Sequence, residues 1–141
     1  MTTNERGRRS IDELLAAAAA RLDRVQPGDL ATEAAAGALV VDTRPVEQRE
    51  RDGDLPGALV IDRNVLEWRL DPASPARIPE ANDYDRRIVI VCNQGYSSVL
   101  AAVTLRELGL HRATDLVGGY QAWASVSHSS SEQNSKPASR A

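Results

Sequence analysis

Four short aliphatic runs constrain the fold of this chain more than any other feature: Ala38 to Val41, Ala58 to Ile61, Ile88 to Val91 and Thr114 to Val117. They are nearly continuous in Val, Ile and Leu, which is how strands read when both faces of their sheet are covered. Helix-compatible stretches separate them, Val46 to Arg51, Asn64 to Leu70 and Ser97 to Leu108, with Tyr120 to Ala124 after the last. Strands alternating with helices imply right-handed crossovers and a mainly parallel sheet of four to five strands flanked by helices, an α/β sandwich. The stretch from Ser97 is apolar on most sides, so that helix is expected to be buried, with Gly109 and Leu110 as a Schellman-type stop.

The flanks have a different texture. Ser10 and Glu13 form a capping-box pattern, and Ile11, Leu15, Ala18, Leu22 and Val25 recur at helical spacing, which predicts a helix from Ile11 to Arg24 that Pro27 and Gly28 terminate. A second short helix is expected from Asp29 to Gly37. Residues 1–9, and the Ser-rich polar stretch 126–141, bury too little apolar surface to offset ordering entropy and are expected to be disordered. The division is then a disordered start (1–9), an N-terminal helix (10–28), one α/β domain (29–125) and a disordered tail (126–141). With 141 residues, 42% of them hydrophobic, a single core is sufficient without disulfides or a structural metal.

Composition excludes several functions. One cysteine allows neither an intramolecular disulfide nor a cysteine-based zinc cluster, and two isolated histidines add no metal site; a reducing, cytoplasmic setting is expected. A net charge of −3 argues against a broad grip on nucleic acid, and no apolar run is long enough to span a membrane.

In open parallel sheets ligands bind beyond the carboxyl ends of the strands. After Ile88 to Val91 comes Cys92-Asn93-Gln94-Gly95-Tyr96-Ser97-Ser98, where a helix begins at once. A thiol placed there faces backbone N–H groups that have no intrahelical partner, and these donors with the helix dipole favour an anion. Lowering its pKa from about 8.5 to about 6 would make the thiol mostly thiolate at neutral pH, a shift within the range of helix N-termini. Gly95 lets the turn bend, while Ser97 and Ser98 can cap the helix and donate to a group on the sulfur. Neither histidine is placed as a general base: His111 follows a helix and His128 lies in the tail, which argues against a Cys-His hydrolase. After Leu39 to Val41 come Asp42 and Arg44, read first as an ion pair anchoring the strand end and second as substrate contacts.

These segments carry a resemblance. VVDTRP, DLPGALVI, the loop CNQGYSS and DLVGGYQAW resemble, in this order, the motifs of the rhodanese-homology domain over about residues 29–124. The resemblance implies a rhodanese-like three-layer sandwich and a sulfurtransferase that needs no cofactor. Cys92 would take sulfane sulfur from a small donor (thiosulfate, mercaptopyruvate or a persulfide), become a persulfide, and pass the sulfur to a thiol or cyanide acceptor. The backbone of Asn93, Gln94, Gly95, Tyr96, Ser97 and Ser98 would cradle the outer sulfur, and Asp42 and Arg44 would stand near the pocket. Such a charge needs preorganised donors more than a base. The chain departs from the family pattern in lacking Lys or Arg in the loop Asn93 to Ser98, so a dianionic donor would depend on Arg44, Arg63 or Arg69 from neighbouring segments. Trp68 is expected to be half-buried, and Tyr96 either screens the sulfur or meets a partner.

Two other functions compete. Cysteine phosphatases use C-x5-R, but the sixth residue after Cys92 is Ser98, so the arginine clamp is missing. A rhodanese-like docking or regulatory module would relay sulfur to a partner protein or simply bind it, with the N-terminal helix as a docking element.

Overall fold

The computed structural model describes residues 7–127. Its centre is a four-stranded, all-parallel sheet in the order β2-β1-β3-β4, with β1 at Leu39–Asp42, β2 at Leu59–Val60, β3 at Ile88–Val91 and β4 at Ala113–Asp115. Six α-helices flank it: α1 Ile11–Ala19, α2 Leu30–Ala35, α3 Val46–Asp52, α4 Leu66–Leu70, α5 Ser97–Glu107, and α6 over residues 119–127. The expected α/β sandwich is present.

Alternation along the two central strands sorts the core into two layers. Leu39, Val41, Ile88 and Ile90 face α4 and α5, where Leu66, Leu70, Ala101 and Leu105 complete the packing. Val40, Val89 and Val91 face the other way, against Leu30, Leu55, Leu116 and Tyr120, with Trp123 beside them. α5 is buried over most of its length and closes as a Schellman motif, with Leu110 N–H donating to Leu105 O at 3.1 Å and Gly109 N–H to Arg106 O at 3.0 Å. The edge strand β2 is the exception to double cover, because Val60 is exposed.

The sequence expectations need correcting at the N-terminus. The capping box of Ser10 and Glu13 forms, but α1 ends at Ala19 instead of Arg24. Val25 is extended and bridges Leu116 in parallel, with Val25 N–H on Asp115 O and Val117 N–H on Val25 O, both at 2.9 Å. Strand-like bonding along the edge of β4 wins over the last helical turn, although Leu22 and Val25 fit the helical period. Pro27 and Gly28 therefore open a 3-10 turn, Pro27–Asp29, and do not terminate α1. Residues 126 and 127, assigned to the disordered tail, are helical; the disorder assigned to residues 1–6 and 128–141 lies outside the described residues. Trp68 is exposed, at 60%, because α4 turns Leu66 and Leu70 inward instead.

Candidate active site

Cys92 directly follows β3, at the carboxyl ends of the strands, and the loop to α5 wraps around it. Backbone hydrogen bonds explain how the loop is shaped. The carbonyls of Cys92 and Asn93 accept from the N–H groups of Tyr120 and Gln121 in the first turn of α6, at 2.8 and 3.1 Å, and the carbonyl of Gly95 accepts from Arg24 Nη2 at 3.1 Å. In a trans peptide the following N–H points opposite its carbonyl, so the N–H groups of Asn93, Gln94 and Tyr96 are turned away from those anchors. Gly95 N–H donates to Cys92 Sγ at 3.1 Å.

Two glycines permit this fit. Gly95 has φ 86°, and a Cβ there would come within 2.6 Å of the Gly118 nitrogen. Gly119, at φ 63°, lies so close that a Cβ would run into Cys92 O. The G-G pair at the start of α6 is thus the surface on which the cysteine loop rests.

A chain of polar groups leads from the sulfur into the fold. Cys92 Sγ donates to Ser98 Oγ at 3.2 Å, Ser98 Oγ donates to Asp115 Oδ2 at 2.6 Å, and Arg24 grips Asp115 with Nε on Oδ1 at 2.8 Å and Nη2 on Oδ2 at 3.0 Å. Burial pushes the Cys92 thiol up, but the Ser98 and Ser97 side chains and the N–H groups of Ser98 and Gly95 pull it down further, leaving it below the ordinary thiol range. Arg24 is raised, first by its bond to Asp115 and partly by the charge on Cys92.

In front of the sulfur lies a pocket of about 380 Å³, lined by Thr43, Arg44, Pro45, Gln48 and Arg63 on one side and by Cys92, Asn93, Gln94, Tyr96 and Ser97 on the other. Cys92 is only 5% exposed, so a reactant must enter this pocket to reach it. Asp42 and Arg44 form a buried pair: Arg44 Nη2 bonds Asp42 Oδ2 at 2.8 Å and Gly53 O at 2.9 Å, and the guanidinium lies 3.7 Å from the Tyr120 ring centroid. Arg44 Nη1 is buried without a partner, and Asp42 does not line the pocket. Gly95 and Ser98 also stand behind the pocket wall, acting on the sulfur from inside the fold. Of the arginines outside the loop, Arg63 reaches the pocket, where it carries Glu67 at 3.0 Å, whereas Arg69 turns to Ala76 O. His111 pairs with Asp85 in the groove of Arg87 and Arg112 and has no part in the pocket.

Sequence reading missed Arg24 and Asp115. Asp115 had a visible signal, because a carboxylate inside a buried strand needs a partner. Arg24 had none, since it was assigned to a helix that ends earlier. Among the described residues no cluster of three or more His, Cys, Asp or Glu could hold a metal, and no helix is long and apolar enough to cross a membrane.

Comparison with known proteins places the chain among relatives. The family model of the rhodanese-like domain matches residues 26–126. A Rhodopseudomonas palustris protein of unknown function, described as a possible tyrosine phosphatase, is 32% identical, with TM-score 0.76, over 84% of this chain and 92% of its own. The human single-domain sulfurtransferase TSTD1 is 28% identical with TM-score 0.62, over 72% of this chain and 95% of its own. The adenylyltransferase and sulfurtransferase MOCS3-2 of Zea mays is 35% identical over 85 residues, 60% of this chain but only 17% of that protein. The chain thus spans about a fifth or less of the curated relatives it matches.

Proposed function

The chain belongs to the rhodanese-like domain family and is related to sulfurtransferases, and from that premise we propose that it transfers sulfane sulfur through a persulfide on Cys92. The observation that carries this reading is the sulfur's setting: a lone thiol, lowered below its ordinary range, at a pocket edged by Asn93, Gln94, Tyr96 and Ser97. With thiosulfate as donor, the Cys92 thiolate attacks the outer sulfur. An S–S bond forms to Cys92, the bond between the two donor sulfurs breaks, and sulfite leaves with the electron pair. The persulfide anion then rests against the loop N–H groups. Cyanide or a thiolate attacks the outer sulfur in turn, and Cys92 regains its thiolate. No proton has to be shuttled in either step, which suits a pocket without a histidine.

Arg63 is the cation we assign to an anionic donor. Its charge is shared with Glu67, so the grip on a dianion is weak, and a persulfide or mercaptopyruvate is as suitable a donor. Asn93, Gln94, Tyr96 and Ser97 serve as the cradle in this reading, with Gly95 and Ser98 acting on Sγ from behind; Asp42 anchors Arg44 and has no contact with the sulfur donor. A reducing compartment would keep the thiol in its working state.

A second reading, sulfur relay to a partner protein, is favoured by Tyr96, which stands 62% exposed at the mouth of the pocket where a docked partner would touch it. A phosphatase reading lacks the arginine six residues after the cysteine, where Ser98 instead bonds Asp115.

The test is intact-mass spectrometry after treatment with each donor, alongside thiocyanate formation from thiosulfate and cyanide. Wild-type protein should gain one sulfur and Cys92→Ser none. Absence of uptake from every donor class would overturn the carrier reading.

A further inference from the structure

The polar chain behind Cys92 contains a hydroxyl with one hydrogen and two claims on it. In the thiol state Ser98 Oγ accepts from Sγ and donates to Asp115. Once the thiol proton has left to solvent, Sγ has nothing to donate and accepts one donor more than the N–H groups already on it, and the only hydroxyl hydrogen on Ser98 is the one Asp115 holds. A buried carboxylate gives up such a bond only if other donors satisfy it. Arg24 meets that need with two bonds in fork geometry, at 2.8 and 3.0 Å, to a side chain that is 0% exposed. The same guanidinium holds Gly95 O at 3.1 Å, which turns the Tyr96 N–H away from that anchor. Arg24 stands ahead of residue 26, where the family match begins.

We propose that Arg24 and Asp115 are positioning residues of the sulfur-carrying site, their ion pair freeing the Ser98 hydroxyl to turn from Asp115 to Cys92 when the thiolate forms. The segment ahead of the family domain thereby completes the site. The inference deepens the sulfurtransferase reading and rests on it for the identity of Cys92 as the reacting group.

Other charges near the sulfur are already matched or stand apart. Asp42 and Arg44 close on each other, Arg63 carries Glu67, and Asp52 of α3 is held by Arg51. α1 presents Asp12 to the groove beside Gly95 and Tyr96, and Tyr96 is the remaining titratable group at the mouth. The Arg24–Asp115 pair is the one that reaches the sulfur through a hydroxyl.

The experiment is the pH dependence of iodoacetamide alkylation of Cys92 in the full chain, followed by intact mass, with thermal melting of each variant. Arg24→Gln removes the cation but leaves the carboxylate, so the midpoint should rise by about one pH unit and alkylation below it slow roughly ten-fold. Asp115→Asn removes the anion and should lower the midpoint. Ser98→Ala removes the donor and should raise it. Arg24→Lys keeps the charge and should recover most of the Arg24→Gln shift. A merely structural role would lower the melting temperature of both pair variants without moving their midpoints apart. Midpoints of Arg24→Gln and Asp115→Asn that stay put, or move in the same direction, overturn the proposal. If Arg24→Gln does not fold, Asp115→Asn and Ser98→Ala decide, and a shared direction overturns it. Sulfur uptake by the wild type, measured in parallel, separates the two claims: no uptake sinks the carrier reading, whereas the alkylation midpoints test the positioning.

Discussion

At the scale of single residues, Cys92 is a case of burial losing to hydrogen bonding. Desolvation alone would make the thiol harder to ionise, yet two hydroxyls and two backbone N–H groups carry it the other way. Alkylation of wild-type protein should therefore have its midpoint below the roughly 8.5 of a free cysteine. The linkage sign follows: the thiol is depressed in the folded state, so its contribution to stability is fully present above the unfolded value and is lost as pH falls through the folded midpoint. Denaturant unfolding of wild type against Cys92→Ser should show the wild-type advantage growing from the folded midpoint toward pH 8.5 or so. Arg63 permits a second residue-level expectation. Its side chain is 36% exposed and already paired, so its contact with an anionic donor is worth about 1 kcal/mol or less. Steady-state kinetics of Arg63→Ala should show KM for thiosulfate raised by no more than about five-fold, with kcat nearly unchanged.

Elements give those residues their places, and most of them were legible in the sequence for a clear reason. β3, Ile88–Val91, and the start of α5 at Ser97 lie where the aliphatic run and the serine pair put them, because burial on both faces and a tight glycine turn are local signals. The position of Cys92 at the turn between β3 and α5 could be read for the same reason. What was not legible came from long range: Val25 pairing with Leu116, and Arg24 reaching Asp115 across 91 positions, depend on where the sheet edge lies and leave no periodicity behind. The Gly118-Gly119 turn belongs to both classes, since its motif DLVGGYQAW stands out in the sequence but only the fold shows that it supports the cysteine loop. Gly119→Ala would combine a left-handed backbone, at φ 63°, with a methyl group driven against Cys92 O. Strain of that kind costs on the order of 1–3 kcal/mol before the overlap is counted. Chemical denaturation should show a loss of at least that size, and alkylation of Cys92 should change along with it because the loop loses its seat.

The whole molecule divides its work between the two ends of one parallel sheet. At the carboxyl ends stand the sulfur, its hydroxyl, and the pocket. At the amino ends Arg87 joins the flanking segments, bonding Glu33 of α2 and Asp23 of the linker at 3.0 Å each and Arg112 O at 3.0 Å, while Arg106 of α5 shares Asp23 at 2.7 Å. Arg87 is 13% exposed and Glu33 28%, so this network is better shielded than an ordinary surface pair, although the Asp23 side chain at 66% remains screened by solvent. No residue of the network lines the pocket in front of Cys92. Removing Arg87 deprives Glu33 and the Arg112 carbonyl of their shared donor, and losses of charge-assisted bonds run at about 1.5–3 kcal/mol where they are partly buried. Arg87→Ala should thus lower the unfolding free energy by about that amount, while the alkylation midpoint of Cys92 stays at the wild-type value. Arg24→Gln should do the reverse, moving the midpoint by more than its stability loss would suggest. A midpoint that followed stability equally in both variants would mean that the two ends of the sheet are not separable, and that the charge behind Ser98 acts only by holding the fold together.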